Sequence, residues 1–220
     1  MLKIPFGKHK ETGRFYDAGS VQNGLKCNCI CKECEGALEA VHPKLPNRQN
    51  YFRHAINSNC KGGLETVFHL VAKQILKENI SLHLTEGNYF SYNYCDIETT
   101  RHGKRPDAFI GNDTENLIVE IFFWHQIDQS TLDIYIEKGE KVLEIDISSE
   151  RRSLFDYEYL KDLILHRAPR KLYSNANLAS KSHSSKDNSW LWASLTFVVA
   201  ILLFWRFKKN KGRRRKRRYK

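Results

Sequence analysis

Cys27, Cys29, Cys31 and Cys34 put four of the chain's six cysteines within eight residues. Thiols that close in sequence rarely reach the geometry of a disulfide with one another. In a reducing compartment such a cluster reads as metal ligands. Cys31-Lys-Glu-Cys34 is a CxxC knuckle, and His54 with Cys60 offers a second pair of ligands beyond a 19-residue connection. Three thiolates and one imidazole in two such pairs suit tetrahedral Zn²⁺ in a closed structural site, which leaves no open position for catalysis. Cys27 and Cys29 supply an alternative ligand set. The plainer alternative is a group of buried free cysteines beside a structural His54.

Three acids stand out by their surroundings. Glu65 opens an apolar-periodic stretch, Asp107 follows Pro106, and Glu120 lies inside the run Leu117-Ile-Val-Glu-Ile-Phe-Phe123. A carboxylate in so apolar a strand is costly without a partner or a metal. Asp107 and Glu120 on neighbouring strands would converge on one cation. Mg²⁺ takes one or two carboxylates and fills its remaining positions with water and phosphate oxygens, and there it activates water and neutralises charge on a phosphodiester. Mn²⁺ suits the same oxygen ligands. For Glu120 the competing reading is a core salt bridge to Arg101, Lys104 or Arg105. Glu65, His69 and Lys73 are spaced i, i+4, i+8 and share one helix face. Alone, that stripe would be an ordinary solvated one.

The elements that must carry these residues follow from periodicity and turn chemistry. Residues 1–25 read as two short strands, with turns near Thr12-Gly13 and Gln22-Asn23-Gly24. The cysteine module runs from about Cys27 to Cys60. Its middle, His42-Pro-Lys-Leu-Pro-Asn47, is rich in turn formers and excludes helix. Leu64, Val67, Phe68, Val71 and Ile75 fall at helical spacing and predict a helix over 64–78. Strands are predicted at 81–84, 92–98, 105–110 and 117–123, separated by turns at Glu86-Gly-Asn88, His102-Gly103 and Gly111-Asn-Asp113. A helix over 130–138 is ended by Gly139, and a buried strand over 141–147 and a helix over 154–166 follow. Helix, antiparallel strands, then strand–helix–strand is an α/β order.

Taken together, these residues resemble the competence-protein CoiA-like family. Gly24-Leu-Lys-Cys-Asn-Cys-Ile-Cys-Lys-Glu-Cys34, Tyr51-Phe-Arg-His54 and Cys60 are similar to its N-terminal zinc region. Glu65-Thr-Val-Phe-His69-Leu-Val-Ala-Lys73 resembles its Glu/His/Lys helix. Arg105-Pro-Asp107, Ile118-Val-Glu120-Ile, His125-Gln-Ile-Asp128 and Val142-Leu-Glu-Ile-Asp146-Ile-Ser148 resemble the segments that follow. The likeness covers about residues 1–150, in order. It implies a restriction-endonuclease-like PD-(D/E)XK core, a mixed sheet flanked by helices, behind a small zinc-ribbon-like module. It implies DNA as partner, Asp107 and Glu120 as ligands of Mg²⁺ or Mn²⁺, and Glu65 joining them. The sequence departs from the pattern at Phe122, where Lys or Gln is expected two residues after the second acid. Phe122 shares a sheet face with Glu120 because strand side chains alternate. Lys73, His69 or His125 would then replace the missing group; otherwise the domain binds nucleic acid without cutting it. Arg53, just before His54, also differs from the family's small or aromatic residue.

The net charge of +11 belongs to the C-terminus. Eleven of the 36 Lys and Arg residues lie from Arg206 to Lys220, and the rest match the 25 acids. Any case for DNA binding by the folded part therefore rests on local residues and not on the overall charge. Residues 169–189 are rich in Ser, Asn, Lys and Ala and read as a linker. The 16 residues from Trp190 to Trp205 carry no charge, with tryptophans at both ends as in an aromatic belt. As a helix they span about 24 Å, short of the ~30 Å hydrocarbon core, a gap that snorkelling by Arg206 and local thinning would close. The resulting organisation is 1–61 N-terminal strands and zinc module, 62–168 nuclease-like domain, 169–189 linker, 190–206 hydrophobic transmembrane-like helix, and 207–220 basic tail. The tail would meet anionic lipid or nucleic acid. The opening residues lack an apolar signal segment, so the expectation is a membrane-associated protein with its nuclease-like domain cytoplasmic.

Overall fold

The structure, a computed structural model, describes residues 3–45, 48–56, 59–60, 63–85, 87–150 and 156–175, apart from the side chains of Leu64, Glu65 and Glu150. It is a mixed α/β architecture with two five-stranded sheets and a separate hairpin.

The first sheet is antiparallel, in the order β2 (Phe15–Asp17), β1 (Phe6–His9), β3 (Gly24–Ile30), β4 (Ala37–Val41), β5 (Tyr51–His54). β1 and β2 form the hairpin expected at Thr12-Gly13, with Gly13 at φ 70°, where a side chain would be strained. Leu38, Ala40 and Phe52 point inward and pack with Cys27, Cys29 and Cys31 in a small core of their own.

α1 (Leu64–Glu78) matches the predicted span. Val67, Phe68, Val71, Ala72, Ile75 and Leu76 on one side are all buried. The helix joins the two sheets. Phe68 meets Phe6 of the first sheet edge-on at 5.8 Å between ring centroids, and Phe123 of the second at 4.8 Å. Gln74 also accepts a hydrogen bond from the Phe15 amide at 2.8 Å and donates to the Phe15 carbonyl at 3.1 Å. The change of module expected at residues 61–62 is therefore no break in the core, because Phe6 and Phe15 belong to the same apolar cluster as the second sheet.

After α1 come the hairpin β6 (Ser81–Thr85) and β7 (Asn88–Ser91), then the second sheet. Its order is β12 (Arg170–Tyr173), β11 (Val142–Asp146), β10 (Asn116–Phe122), β9 (Ala108–Gly111), β8 (Tyr94–Ile97). β8, β9 and β10 form an antiparallel meander. β10 and β11 are parallel, and parallel neighbours need a crossover, here supplied by α2 (Gln129–Glu137). Asp128 caps α2 by accepting from the Thr131 amide, and Gly139 at φ 80° ends it. Along β10, Leu117, Val119 and Ile121 face the core that contains α1. Ile118 faces α2, with Phe109, Leu132, Tyr135, Ile136 and Val142.

Several predicted bounds shift. The strand expected over 105–110 begins only at Ala108, so Asp107 stands in the approach to β9; Pro106 has no amide proton to give to a ladder. β7 was not foreseen. The helix expected over 154–166 is α3 (Tyr157–Asp162), which continues as a wider π turn over Leu163–Arg167. The linker expected from residue 169 gives way at its start to β12, antiparallel to β11. The expected transmembrane helix over 190–206 and the basic tail lie outside the described residues. Among the described residues no helix is long and apolar enough to cross a membrane.

Candidate metal centre and acid pair

The loop between β3 and β4 folds as a tight knuckle. The Cys31 amide donates to the Gly36 carbonyl and the Glu35 amide to the Cys31 carbonyl, both at 2.9 Å. Glu35 takes φ 56° to close the turn. Cys31 and Cys34 thereby face His54, at the end of β5, and Cys60. The ligand atoms of all four lie within 4.8 Å of one another. Cys31 Sγ is 3.8 Å from Cys60 Sγ, and Cys34 Sγ is 3.2 Å from His54 Nε2. A tetrahedron built on Zn–S bonds of ~2.3 Å and Zn–N bonds of ~2.0 Å has edges of about 3.5–3.8 Å. The donor set and its spacing fit a zinc ion held by Cys31, Cys34, His54 and Cys60. The Gly36 amide holds the Cys34 thiol below the usual range, whereas burial pushes Cys31 up to about 11. Cys27 and Cys29, the alternative ligands, point into the small core. The Cys27 thiol donates to the Leu38 carbonyl and the Cys29 thiol to the Cys27 carbonyl, each at 3.2 Å. Burial pushes Cys29 up to about 12, so it stays a protonated core thiol.

The acids meet where β9 and β10 part. Regular pairing ends at Val119–Ala108. The next two residues are Glu120 and Asp107. The Asp107 carboxylate accepts from the Ile121 amide at 2.9 Å, and the Asp107 amide helps to hold down the Glu120 carboxyl. The Ile121 amide thereby fixes Asp107 opposite Glu120, one residue past the last ladder pair.

α1 presents His69 and Lys73 to the same point. Lys73 Nζ lies 2.9 Å from Asp107 Oδ1, and His69 Nδ1 lies 3.2 Å from both Asp107 oxygens. Lys73 is 8% exposed and also pairs with Glu98 at 2.7 Å. Burial opposes the Asp107 charge, yet His69 and Lys73 outweigh it and hold that carboxyl below its ordinary range. Burial would lower Lys73, but Asp107 and Glu98 raise it. Glu120 goes the other way. Burial first, then the Asp107 charge, pushes it up to about 8 against the opposing pull of the Asp107 amide and Lys73. Two neighbouring carboxyls are thus driven apart in acidity by their surroundings.

Comparison with known protein families, curated proteins and solved structures finds no match to this chain. The candidate site stands on its own geometry.

Asp107, Glu120, His69 and Lys73 come together. The Glu65 side chain, expected to join them, lies outside the described residues. His125 is exposed in the turn after β10, and among the described residues it makes no hydrogen bond or ion pair with either acid. The salt bridge weighed for Glu120 does not form: Arg105 pairs with Glu98, while Arg101 reaches Asp96 at 3.9 Å and lies over the Phe109 ring. Phe122 borders a cavity of about 130 Å³ with Glu144, Asp146, Pro169, Arg170 and Lys171.

Sequence reasoning missed Glu98 and Glu144. Glu98 links Lys73 to Arg105 from a backbone at φ 53°, a strained conformation for a non-glycine residue. Glu144 is 3% exposed and accepts from the Ile127 amide at 3.0 Å and the Tyr173 hydroxyl at 3.1 Å. Its setting, Val142-Leu-Glu-Ile, carries the same signal that singled out Glu120.

Proposed function

We propose that this protein is a divergent CoiA-like nuclease of the PD-(D/E)XK type, a metal-dependent hydrolase of DNA phosphodiesters, with a structural zinc module at its N-terminus. One observation carries this reading: Asp107 and Glu120 stand opposite one another just past the last β9–β10 ladder pair, with Asp107 pinned by the Ile121 amide and the Lys73 ammonium against it. The order helix, antiparallel meander, helix, parallel strand supports the same reading.

Asp107 and Glu120 fit a Mg²⁺ or Mn²⁺ ion by donor chemistry, since such ions take one or two carboxylates and leave positions for water and phosphate. When bound, the ion supplies Lewis acidity and lowers the pKa of water. The chain's own residues do the rest. Asp107, pinned by the Ile121 amide, keeps its charge. Glu120 carries or accepts a proton near neutral pH. Lys73, paired with Asp107 and Glu98, would supply the positive charge, the task the family pattern gives to the position held here by Phe122. Water oxygen bonds to phosphorus, the bond to the leaving nucleoside oxygen breaks, and the products are a phosphomonoester and an alcohol.

The second reading is a non-catalytic nucleic-acid-binding or DNA-processing accessory protein. Phe122 favours it, because an aromatic ring cannot orient water as an ammonium or amide does. Incubating the full chain with plasmid and single-stranded DNA in Mg²⁺ or Mn²⁺ separates the two. Cleavage lost in Asp107→Ala supports the nuclease; binding without cleavage supports the accessory role. We also propose, from composition alone, that 190–206 anchors the protein to a membrane with the nuclease-like domain cytoplasmic, and that the basic tail meets anionic lipid or nucleic acid.

A further inference from the structure

The acid pair belongs to a longer row. Glu120 is in register with Glu144 on β11, and Glu144 with Lys171 on β12. Asp107 stands opposite Glu120 on the other side, one residue past the last ladder pair. The row lies on the sheet face that α2 covers, the face of Ile118, Phe109 and Val142.

Most polar atoms in this row are engaged. Asp107 takes the Ile121 amide, His69 and Lys73. Glu144 takes the Ile127 amide and the Tyr173 hydroxyl. For Glu120 the backbone group that lowers its carboxyl is the Asp107 amide. α2 brings Tyr135 down over this part of the sheet. Tyr135 is fully buried, and among the described residues its hydroxyl has no hydrogen-bond partner. Tyr135 belongs to the same cluster as Ile118, two residues from Glu120 on one face of β10, and burial first, then the Glu120 and Asp107 charges, push its hydroxyl up. A buried hydroxyl without a hydrogen bond costs free energy, and polar groups so placed are commonly satisfied by ordered water.

We infer that the Tyr135 hydroxyl holds a water molecule against the Glu120 carboxyl, and so supplies the positioning group that Phe122 cannot. The inference rests on the reading of Asp107 and Glu120 as a hydrolytic pair. Tyr135 is then a water-positioning residue delivered by α2, from the opposite side of the sheet to Lys73 on α1. As a mere core residue, Tyr135 would be replaceable by Phe, which keeps every apolar contact with Leu132, Ile136 and Val142.

The test is Tyr135→Phe in the full chain, with three readouts: thermal melting, Mn²⁺ affinity by electron paramagnetic resonance, and DNA cleavage. The expected variant melts within a few degrees of wild type. It binds Mn²⁺ about tenfold more weakly, as loss of an outer hydrogen bond at a metal site does. Its kcat falls by about a hundredfold at unchanged KM, the scale of a lost proton-handling or water-orienting group. A Phe variant that binds Mn²⁺ and cuts DNA like wild type overturns the inference. If wild type binds Mn²⁺ but cuts nothing, the hydrolytic reading fails, and the Tyr–Phe difference in Mn²⁺ affinity still decides the water site. Wild type that binds no Mn²⁺ overturns both.

Discussion

Glu120 is the residue whose surroundings most oppose its charge. Burial and the adjacent Asp107 push its carboxyl up to about 8, against an ordinary 4.5. A carboxyl raised on folding contributes stability that is complete below its unfolded pKa and is lost as pH rises through the folded one. Without added divalent cation, wild-type protein is therefore expected to lose melting temperature between about pH 5 and pH 8. Glu120→Gln should flatten that loss and melt higher than wild type at alkaline pH. Scanning fluorimetry across this range checks it, and parallel profiles would sink it. Asp107 shows the opposite balance. Asp107→Ala leaves the Ile121 amide without its acceptor and takes one of the two acids from the buried Lys73. A cost of about 1–3 kcal/mol is expected, readable by urea unfolding; an unchanged midpoint would mean that the clamp is not formed. At this scale the sequence was informative where chemistry conflicts with its setting. Glu120 stood out because it interrupts an apolar strand, and Glu144 satisfies the same criterion. Tyr135 gave no signal, since a tyrosine on an apolar helix face looks like any core aromatic.

Elements with strong periodicity were legible, and those decided by pairing were not. α1 matches its predicted span because its apolar stripe lies in the local sequence. β12 was read as linker because Arg170-Lys-Leu-Tyr173 carries one strongly apolar residue. It is a strand only because β11 offers a free edge, a tertiary cause that no local pattern contains. The cysteine knuckle lies between these cases: its spacing picked out the four side chains that cluster, while only the fold set Cys27 and Cys29 aside as core thiols. Purified protein is expected to hold about one Zn²⁺ per chain. Cys34→Ser should lose that zinc and loosen the β3–β5 end of the first sheet, because metal binding and folding are coupled. Cys27→Ser should keep the zinc. Elemental analysis of the two variants decides the ligand set; zinc lost from Cys27→Ser and kept in Cys34→Ser would reverse it.

On the scale of the whole molecule, α1 ties the sheet that carries the Cys/His cluster to the acid-bearing one through Phe6, Phe68 and Phe123. The first sheet keeps a small core of its own, and Met1–Asn175 forms one compact unit. The apolar run 190–205 adds an expectation from composition. Full-length protein should sediment with membranes, withstand high salt and be released by detergent, and truncation after Asn188 should leave it in the supernatant. Fractionation checks this, and release by salt alone would reduce the cause to the tail's charge. The central claim, a paired-acid hydrolytic centre, has its most direct test in one assay: Mn²⁺-dependent DNA cleavage by full-length wild type beside Asp107→Asn and Glu120→Gln. The expected result is cleavage by wild type and a loss of at least about a thousandfold in each variant. Variants that cleave like wild type, or wild type that leaves every DNA form intact, would contradict it.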